Sequence, residues 1–424
     1  RDFCLSRGLG DVYKRQDIEL FNEEIQVLDT PEVQRLRGIK QLGASSYIYP
    51  SATHSRFEHS LGTLFCTQKI LNALSTKFEI DQKLKTIIRI SALLHDITHI
   101  PFGHTFEDER KLMPRHDKGD RFHHLTNQTQ LGETLDSLKI KAEVSAIVEE
   151  KQHPNIPRWA QQIVSSTIDA DLLDYLKRDN YFTGLSQNYD DRIYTSFMVK
   201  DDELGLNMVK KGLDRQDALT EVMNLLRLRY FLTERVYYHH TKVIVGSMIS
   251  KALEYALLNG VTENDLLYLS DGAFLSFIAS KTTDSANLIN AVNYRNLYKR
   301  AYILTYENCP TGVPERLIQQ FSSSIANRNQ AELKIANMAN VPPASVIIYC
   351  SSLPANKESA VKVQSVAGWH PFNEIGKLKT YQEIAVLDTK FKNLWKLYVL
   401  APKSCLEKVS KAATTYFQIP NELN

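Results

Sequence analysis

Hydrophobic residues recur at helical spacing along most of this chain. Apolar positions three and four residues apart predict helices that bury one face. The predicted helices cover residues 60–78, 83–98, 130–149, 157–180 and 216–258, with mostly helical sequence over 260–340. The second of these stretches is apolar on most sides, which predicts a buried central helix.

The beginning of the pattern is less regular. Residues 17–28 alternate enough to predict a strand or an extended lead-in. In the stretch "DTPEVQRLRGIKQLG" that follows, Asp29 or Thr30 can cap a helix that has Pro31 at its first position. Gly43 is placed to stop this helix.

The pattern changes after about residue 341. The runs "ASVIIYCSS", "QEIAVLD" and "LWKLYVLAP" are rich in β-branched and aromatic residues, which predicts strands, and a helix is expected at 403–418. The predicted fold class is mainly α, with a helical core and a small C-terminal α+β appendage. The expected boundaries are 17–260 for the core, 261–340 for a helical extension and 341–424 for the appendage.

Composition narrows the classes of protein that fit. The chain is 43% hydrophobic and 24% charged, with a formal net charge of +2, as in an ordinary soluble globular protein. No apolar run reaches membrane-spanning length, so no membrane partner is expected. The charge gives no overall nucleic-acid signature and leaves nucleic-acid binding by the appendage open. Five scattered cysteines suit a reducing cytoplasm.

The extreme N-terminus looks foreign to the protein. Residues 6–16, "SRGLGDVYKRQ", read as the translation of a transposase sequencing adapter. We therefore expect residues 1–16 to be an artefact and leave them out of the fold and function predictions.

The stretch "LLHDITHIPFGH" carries the most unusual chemistry in the sequence. It places polar residues where the pattern predicts core, and eight of the twelve histidines lie between positions 54 and 124. His95 and Asp96 are adjacent, and His99 lies one turn beyond His95 on the same predicted helix. Imidazole and carboxylate donors together suit a divalent metal such as Mg, Mn, Fe, Zn or Ni. A further histidine upstream and aspartates downstream would complete such a site.

Four motifs in one order resemble a known family. "HSRFEHSLG", "LLHDITHIPFGH" and "DADLLDYLKRDNYFTG", preceded by "DTPEVQRLRGIKQLG", resemble the HD-domain phosphohydrolases. More narrowly they resemble the deoxynucleoside triphosphate triphosphohydrolases, the branch that includes the SAM-and-HD-domain enzymes of animals. The resemblance covers roughly residues 17–260 and extends downstream through "RVYYHHTKV". It implies hydrolysis of a dNTP to a deoxynucleoside and inorganic triphosphate.

The resemblance also implies which residues form the site. It implies metal ligands at His59, His95, Asp96 and Asp171. It implies catalytic residues at His99, His104 and Glu107, and at His123 or His124, of which we take His124. It implies substrate contacts at Gln41, Leu42, Arg56, Tyr175, Arg229 and Tyr237. Gln41 and Leu42 would read the sugar 3′-hydroxyl and crowd its 2′ position, which favours deoxyribose.

Regulation is implied in the same way. Asp29, Gln34 and Arg37 match family positions that hold an activating guanine nucleotide at a subunit interface. The resemblance therefore implies activation by GTP or a dNTP and a homo-oligomer, either a dimer or a tetramer.

Two departures from the family pattern keep other functions open. Leu172 stands where the animal members have a lysine, and Thr233 stands where a phosphate-contacting histidine is expected. The alternatives are a nucleotidase or phosphodiesterase of the same metal type, and a nucleotide sensor without turnover. Asp174 and Arg178 are interpreted as a structural i,i+4 pair, and His116 as structural or exposed.

Overall fold

Helices form most of the chain in the computed structural model, which describes residues 10–11, 16–117, 119–375 and 382–423. Most of the adapter-like segment 1–16 lies outside the described residues. The helices are α1 (Asn22–Leu28), α2 (Pro31–Gln34), α3 (Arg56–Ser75), α4 (Gln82–Leu94), α5 (Arg121–Thr126), α6 (Gln130–Ser137), α7 (Lys141–Val148), α8 (Arg158–Val164), α9 (Ala170–Thr183), α10 (Ile193–Ser196), α11 (Gln216–Leu232), α12 (His240–Leu258), α13 (Glu263–Leu267), α14 (Asp271–Ala279), α15 (Thr283–Asn293), α16 (Val313–Leu317), α17 (Ile325–Ala339), α18 (Phe372–Ile375), α19 (Gln382–Asn393) and α20 (Leu406–Phe417).

Short strands are distributed among these helices. The strands are β1 (Gly10–Asp11), β2 (Gln16–Asp17), β3 (Phe197–Lys200), β4 (Glu203–Asn207), β5 (Val209–Lys210), β6 (Leu213–Asp214), β7 (Lys299–Thr305), β8 (Ile347–Cys350), β9 (Lys362–Ser365), β10 (Gly368–Pro371) and β11 (Lys396–Ala401). One sheet has the order β10-β9-β4-β3, in which β4 and β9 run parallel. A second sheet has the order β7-β11-β8, and both of its strand pairs are antiparallel.

The mainly α fold class is confirmed, and the helical pattern locates the main elements well. Several long predicted helices are divided in the structure. Residues 130–149 form α6 and α7, residues 157–180 form α8 and most of α9, and 216–258 forms α11 and α12 around a π-helical turn at Thr233–Tyr237.

Other local predictions were wrong. Residues 17–28, predicted to be extended, contain α1. The helix that starts with Pro31 at its first position changes to a 3₁₀ turn and ends at Gly38, before Gly43. The run "QEIAVLD" lies in α19 and not in a strand, because Ile384, Leu387 and Phe391 fall on one helical face and are all buried.

The predicted boundary at residue 341 also differs from the packing. A second hydrophobic core joins the β7-β11-β8 sheet to α17 and α20, so it begins near residue 299, inside the stretch predicted to be a helical extension. Conversely, Val363, Phe372 and Phe391 belong to the main core, because β9 pairs with β4 and α19 packs on α11. The C-terminal region therefore forms its own core and also returns to the helical body.

No helix among the described residues is long and apolar enough to cross a bilayer.

Candidate metal centre and active site

Three helix ends bring the predicted metal ligands together. Ser55 caps α3 in a reciprocal pair with Glu58, which starts the helix at Arg56 and places His59 in its first turn. His95 and Asp96 lie at the C-terminal end of α4.

The third helix end is fixed by an aspartate cap. The Asp169 carboxylate accepts the backbone N–H of Leu172, so α9 begins at Ala170 and Asp171 falls in its first turn. The α9 segment ends at Gly184, which adopts the left-handed conformation that a helix C-cap favours. The caps of α3 and α9 thus determine where His59 and Asp171 lie.

The four predicted ligands converge on one point. His59 Nε2 lies 2.8 Å from Asp171 Oδ1 and 3.1 Å from His95 Nε2. His95 Nε2 lies 3.6 Å from both Asp171 Oδ1 and Asp96 Oδ1. Asp96 Oδ2 lies 3.8 Å from His59 Nε2. The structure therefore brings all four residues to one place.

The hydrogen bonds behind the two histidines test whether a metal fits. His95 Nδ1 lies 2.8 Å from the carbonyl oxygen of Ala92, and a carbonyl only accepts, so the neutral ring carries its lone pair on Nε2. His59 Nδ1 lies 2.9 Å from Asp174 Oδ2, which assigns the lone pair of the neutral ring to Nε2 as well. Two imidazole lone pairs and the Asp171 carboxylate thus face one another. This arrangement is favourable only around a cation or a proton, so the donor set fits a divalent metal.

The pKa shifts of His59 and Asp171 also indicate a site for a cation. Burial would lower the pKa of His59, but hydrogen bonds to Asp171 and Asp174 and the nearby Asp96 outweigh it and raise that pKa to about 10. Burial would raise the pKa of Asp171, but hydrogen bonds from His59 and His95 lower it. The centre therefore attracts positive charge.

The interpretation of Asp174 and Arg178 changes with the structure. Asp174 is fully buried, orients His59 and accepts Arg178 Nε at 2.7 Å. The pair is more than a structural i,i+4 contact, because Asp174 links Arg178 to the predicted metal ligand His59. The signal was available in the sequence, since Asp174 lies one turn beyond Asp171 in the same motif.

A second cluster of histidines surrounds Glu107. His116 Nδ1 lies 3.1 Å from Glu107 Oε2, and His104 Nδ1 lies 3.6 Å from the same oxygen. The ring of His99 stacks on that of His116 at 3.8 Å, and His99 Nδ1 lies 3.9 Å from Glu107 Oε1. Arg121 donates to Glu107 Oε1 at 2.9 Å. Burial would raise the pKa of Glu107, but His99 and His116 outweigh burial and lower it.

His99 and His104 lie beside Glu107 as predicted, but the third histidine there is His116 and not His123 or His124. His123 and His124 lie on α5 with exposed side chains and do not line the cavity described below. His116, which was interpreted as structural or exposed, is part of the cavity wall. A loop without periodicity carries His116, so no local pattern marked it.

One cavity of about 690 Å³ connects these groups. Its size is typical of sites for small molecules. The cavity contains the six residues predicted to contact substrate, which are Gln41, Leu42, Arg56, Tyr175, Arg229 and Tyr237. His95, Asp96 and Asp171 line it too, whereas His59 and His99 are completely buried behind its wall.

Arg229 lies between two aromatic rings of this cavity. Its guanidinium carbon is 5.6 Å from the centroid of Tyr175 and 5.3 Å from that of Tyr237, within cation–π range. Its Nη1 donates to Thr233 Oγ1 at 3.0 Å. Tyr237 donates to Asp179 at 2.7 Å. Arg56, by contrast, is paired with the metal ligand Asp96.

The C-terminal region forms the opposite wall. Residues that sequence analysis did not single out line the cavity there, namely Tyr349, Ser351, Ser352, Leu353, Pro354, Ala355, Lys357, Glu358 and Phe391. They lie far from the metal ligands in sequence, so only the folded chain brings them close.

The residues predicted to bind an activator are on the surface beside this site. Asp29 is exposed, and Arg37 Nε donates to Gln34 Oε1 at 2.7 Å while its guanidinium stacks on Phe57 at 3.6 Å. Arg35, which lies between Gln34 and Arg37 in the sequence, donates to the backbone carbonyls of Ile97 and His99. This segment therefore contacts the loop that follows the metal ligands.

Comparison with known families agrees with this geometry. Residues 56–179, which include all four ligands, match the HD domain, and residues 213–424 match the HD associated region. The chain belongs to the HD-domain family. HD domains use a divalent metal, so the expectation of a divalent-metal cofactor is confirmed, with the identity of the metal open.

Curated relatives of this HD-domain chain include characterised and uncharacterised proteins. An uncharacterised protein of Methanocaldococcus jannaschii is 31% identical over 305 residues, which are 69% of this chain and 58% of that protein. The deoxynucleoside triphosphate triphosphohydrolase SAMHD1 of Homo sapiens is 28% identical over 349 residues, which are 70% of this chain and 54% of that enzyme. The chain spans about half the length of the curated relatives it matches.

Solved structures share the fold over nearly the whole chain. A hypothetical protein from Aquifex aeolicus superposes with a TM-score of 0.70 at 22% identity, covering 94% of this chain and 97% of the other. A phosphohydrolase from Bacteroides thetaiotaomicron gives a TM-score of 0.64 at 22% identity, covering 89% and 95%. The fold of nearly the whole chain therefore recurs in other proteins.

Proposed function

We propose that this protein is a divalent-metal-dependent phosphohydrolase that converts a dNTP to a deoxynucleoside and inorganic triphosphate. One observation carries the proposal. One cavity connects His95, Asp96 and Asp171 of the predicted metal centre, and His104 and His116 beside Glu107, to Arg229 and its two tyrosines. Such a cavity offers phosphate, sugar and proton-transfer groups to one ligand. The similarity to the SAMHD1 enzymes, which are named for this reaction, supports the substrate class.

The metal and the nearby residues would divide the chemistry. His59, His95, Asp96 and Asp171 would hold a divalent metal, which supplies Lewis-acid chemistry by withdrawing charge from a phosphoryl oxygen. Arg229 would hold phosphate, because guanidinium presents several fixed donors.

A histidine beside Glu107 would donate the proton that the leaving 5′-oxygen needs. Water adds to the α-phosphorus while the bond to the 5′-oxygen breaks, so one proton leaves the water and one reaches the 5′-oxygen. His116 bonds Glu107 through Nδ1, which leaves Nε2 to deliver that proton. His104, on the same carboxylate, would contact the phosphate.

The proposed enzyme prefers deoxyribose and is activated by a nucleotide. Gln41 and Leu42 form one edge of the cavity and would exclude a 2′-hydroxyl. GTP or a dNTP would bind at Asp29, Gln34 and Arg37 in a homo-oligomer. Arg35 supports such coupling, because it bonds the loop that carries His99.

A second candidate is a phosphohydrolase of the same metal type that acts on a nucleoside monophosphate or a phosphodiester. Leu172 and Thr233 favour it, because neither side chain supplies the cation that a polyphosphate would use. The proposed location is cytoplasmic, because no disulfide joins any two of the four cysteines that the structure describes.

A product assay tests the proposal. The full chain is incubated with each dNTP in Mg²⁺ or Mn²⁺, with and without GTP, beside a His95→Ala/Asp96→Ala variant. We expect deoxynucleoside and inorganic triphosphate from the wild type only. Release of monophosphate instead would favour the second candidate, and binding without any product would favour a nucleotide sensor.

A further inference from the structure

A carboxylate of the protein itself already pairs with Arg229, the residue proposed to bind phosphate. Glu358, in a 3₁₀ turn of the C-terminal wall, accepts Arg229 Nε at 3.2 Å through Oε1. Its other oxygen, Oε2, is buried without a hydrogen-bond partner among the described residues. Arg229 is thus neutralised before any ligand arrives.

The charge of the whole lining makes this pairing important. Among the described residues, nine carboxylates and six lysines or arginines line the cavity. Its other two arginines are also paired, Arg56 with Asp96 and Arg115 with Asp108 and Asp117. A polyphosphate that binds any of the three arginines must therefore take it away from a carboxylate.

A neighbouring ion pair, between Arg227 of α11 and Glu383 of α19, lies outside the cavity and serves as a comparison. Arg227, two residues from Arg229 on α11, bonds Glu383 of the C-terminal region through both Nε and Nη2, at 2.5 and 2.7 Å. Glu383 does not line the cavity. The pair of Arg229 and Glu358 has one such bond, and Arg229 Nη2 bonds no described residue. The cavity pair thus has one hydrogen bond to break where the Arg227 pair has two, although the cavity pair is the less exposed of the two.

We propose that Glu358 is a specificity-determining residue that competes with ligand phosphates for Arg229. The carboxylate holds the guanidinium between Tyr175 and Tyr237 and gives it up when a phosphate group reaches Nε. This inference rests on the proposed function in one respect, namely that Arg229 is a phosphate contact. It assigns the HD associated region a direct part in ligand selection.

Binding of inorganic triphosphate to the metal-loaded full chain tests the competition without turnover. Isothermal titration calorimetry compares the wild type with Glu358→Gln, which keeps the shape of the side chain and removes its charge. We expect about fivefold tighter binding in Glu358→Gln. Glu383→Gln is the matched control, because it removes the same charge from a pair outside the cavity, and its affinity should stay within about twofold of wild type.

A double-mutant cycle separates competition from a general charge effect. In an Arg229→Gln background, Glu358→Gln should give no gain, because the contested cation is gone. An unchanged or weaker affinity in Glu358→Gln, an equal gain in the Arg229→Gln background, or no detectable triphosphate binding by any variant would each overturn the proposal. Glu358→Ala provides a second way to remove the charge if the Gln variant does not fold.

The same variants keep this inference separate from the proposed function. If dNTPs are substrates, Glu358→Gln should lower KM more than it changes kcat. If no variant hydrolyses a dNTP but the gain in triphosphate affinity persists, the substrate assignment fails and the role of Glu358 stands.

Discussion

At the scale of single residues, the centre is organised by the second nitrogen of each histidine. Ala92 and Asp174 each hold one Nδ1, so both Nε2 lone pairs face the Asp171 carboxylate. Orientation from behind the ligands is what separates a metal site from a chance group of polar residues.

This arrangement predicts how metal affinity depends on pH. The raised pKa of His59, about 10, means that a metal must displace a proton from this ring at neutral pH. Affinity for Mn²⁺ should therefore rise with pH between 6 and 8, by about tenfold per unit for each proton displaced. Equilibrium dialysis at constant ionic strength measures the slope.

A histidine outside the centre provides the control for this measurement. His153 does not line the cavity, so His153→Gln should leave the slope of affinity against pH unchanged. An affinity that is the same at pH 6 and pH 8 would contradict the prediction, because it would mean that His59 is already neutral without metal.

At the scale of elements, α3 and α9 approach closely where the metal ligands begin. Gly62 of α3 permits this approach. A Cβ at Gly62 would lie 1.9 Å from Asp174 Oδ1 and 2.3 Å from Arg178 Nη2. Both side chains are buried and paired, so they have no space to retreat.

Gly62→Ala should therefore destabilise the fold. We expect a loss of about 2–4 kcal/mol in the free energy of unfolding, measured by urea denaturation, together with weaker metal binding because Asp174 supports His59. Gly272→Ala is the matched control. It is also a helical glycine, but its added Cβ would meet nothing within 4 Å, so its effect should stay within about 1 kcal/mol. Equal effects of the two substitutions would contradict the packing argument.

The elements also show what could be predicted from sequence. The four metal ligands were predicted because a family resemblance rests on contiguous motifs that contain them, and the structure brings these four residues to one place. His116 was missed because it lies in an aperiodic loop, and Glu358 because its partner Arg229 is 129 residues away. The strand Lys299–Thr305 was missed because its partner strand β11 lies about a hundred residues further on, and no local pattern reports such pairing.

At the scale of the whole molecule, a buried charge network fastens the two cores together. Arg110, directly after the turn that carries Glu107, bonds Glu254 of α12, Glu332 of α17 and the Ile348 carbonyl of β8. The network also includes Lys251, which bonds both glutamates, and Arg328, which bonds Glu254. The turn that carries Glu107 is thereby joined to α12 of the main core and to α17 and β8 of the second core.

The network predicts acid sensitivity. Burial would raise the pKa of Glu254, but Arg110, Lys251 and Arg328 outweigh it and lower that pKa to about 2. Because the folded-state pKa lies below the unfolded value, stability from Glu254 is complete above about pH 4.5 and is lost as pH falls toward 2. The loss should approach about 3 kcal/mol in the free energy of unfolding below pH 2, and about 2 kcal/mol of it should be present at pH 3.

Denaturant titrations at pH 7 and pH 3 measure this loss. Glu254→Gln should be less stable than wild type at pH 7 and should lose less stability between the two pH values. Glu407→Gln, at an exposed pair with Lys411, is the control and should follow the wild type. A Glu254→Gln variant with the acid sensitivity of wild type would exclude the network as its source.

The origin of the cavity walls has a consequence for how the protein is made. All four predicted metal ligands lie between residues 59 and 171, whereas the opposite wall comes from Tyr349 to Glu358 and from Phe391. During synthesis on the ribosome, the ligands emerge well before the segments that enclose them. The order of translation therefore gives the metal an open approach to its ligands, and the nascent chain completes the chamber around them afterwards.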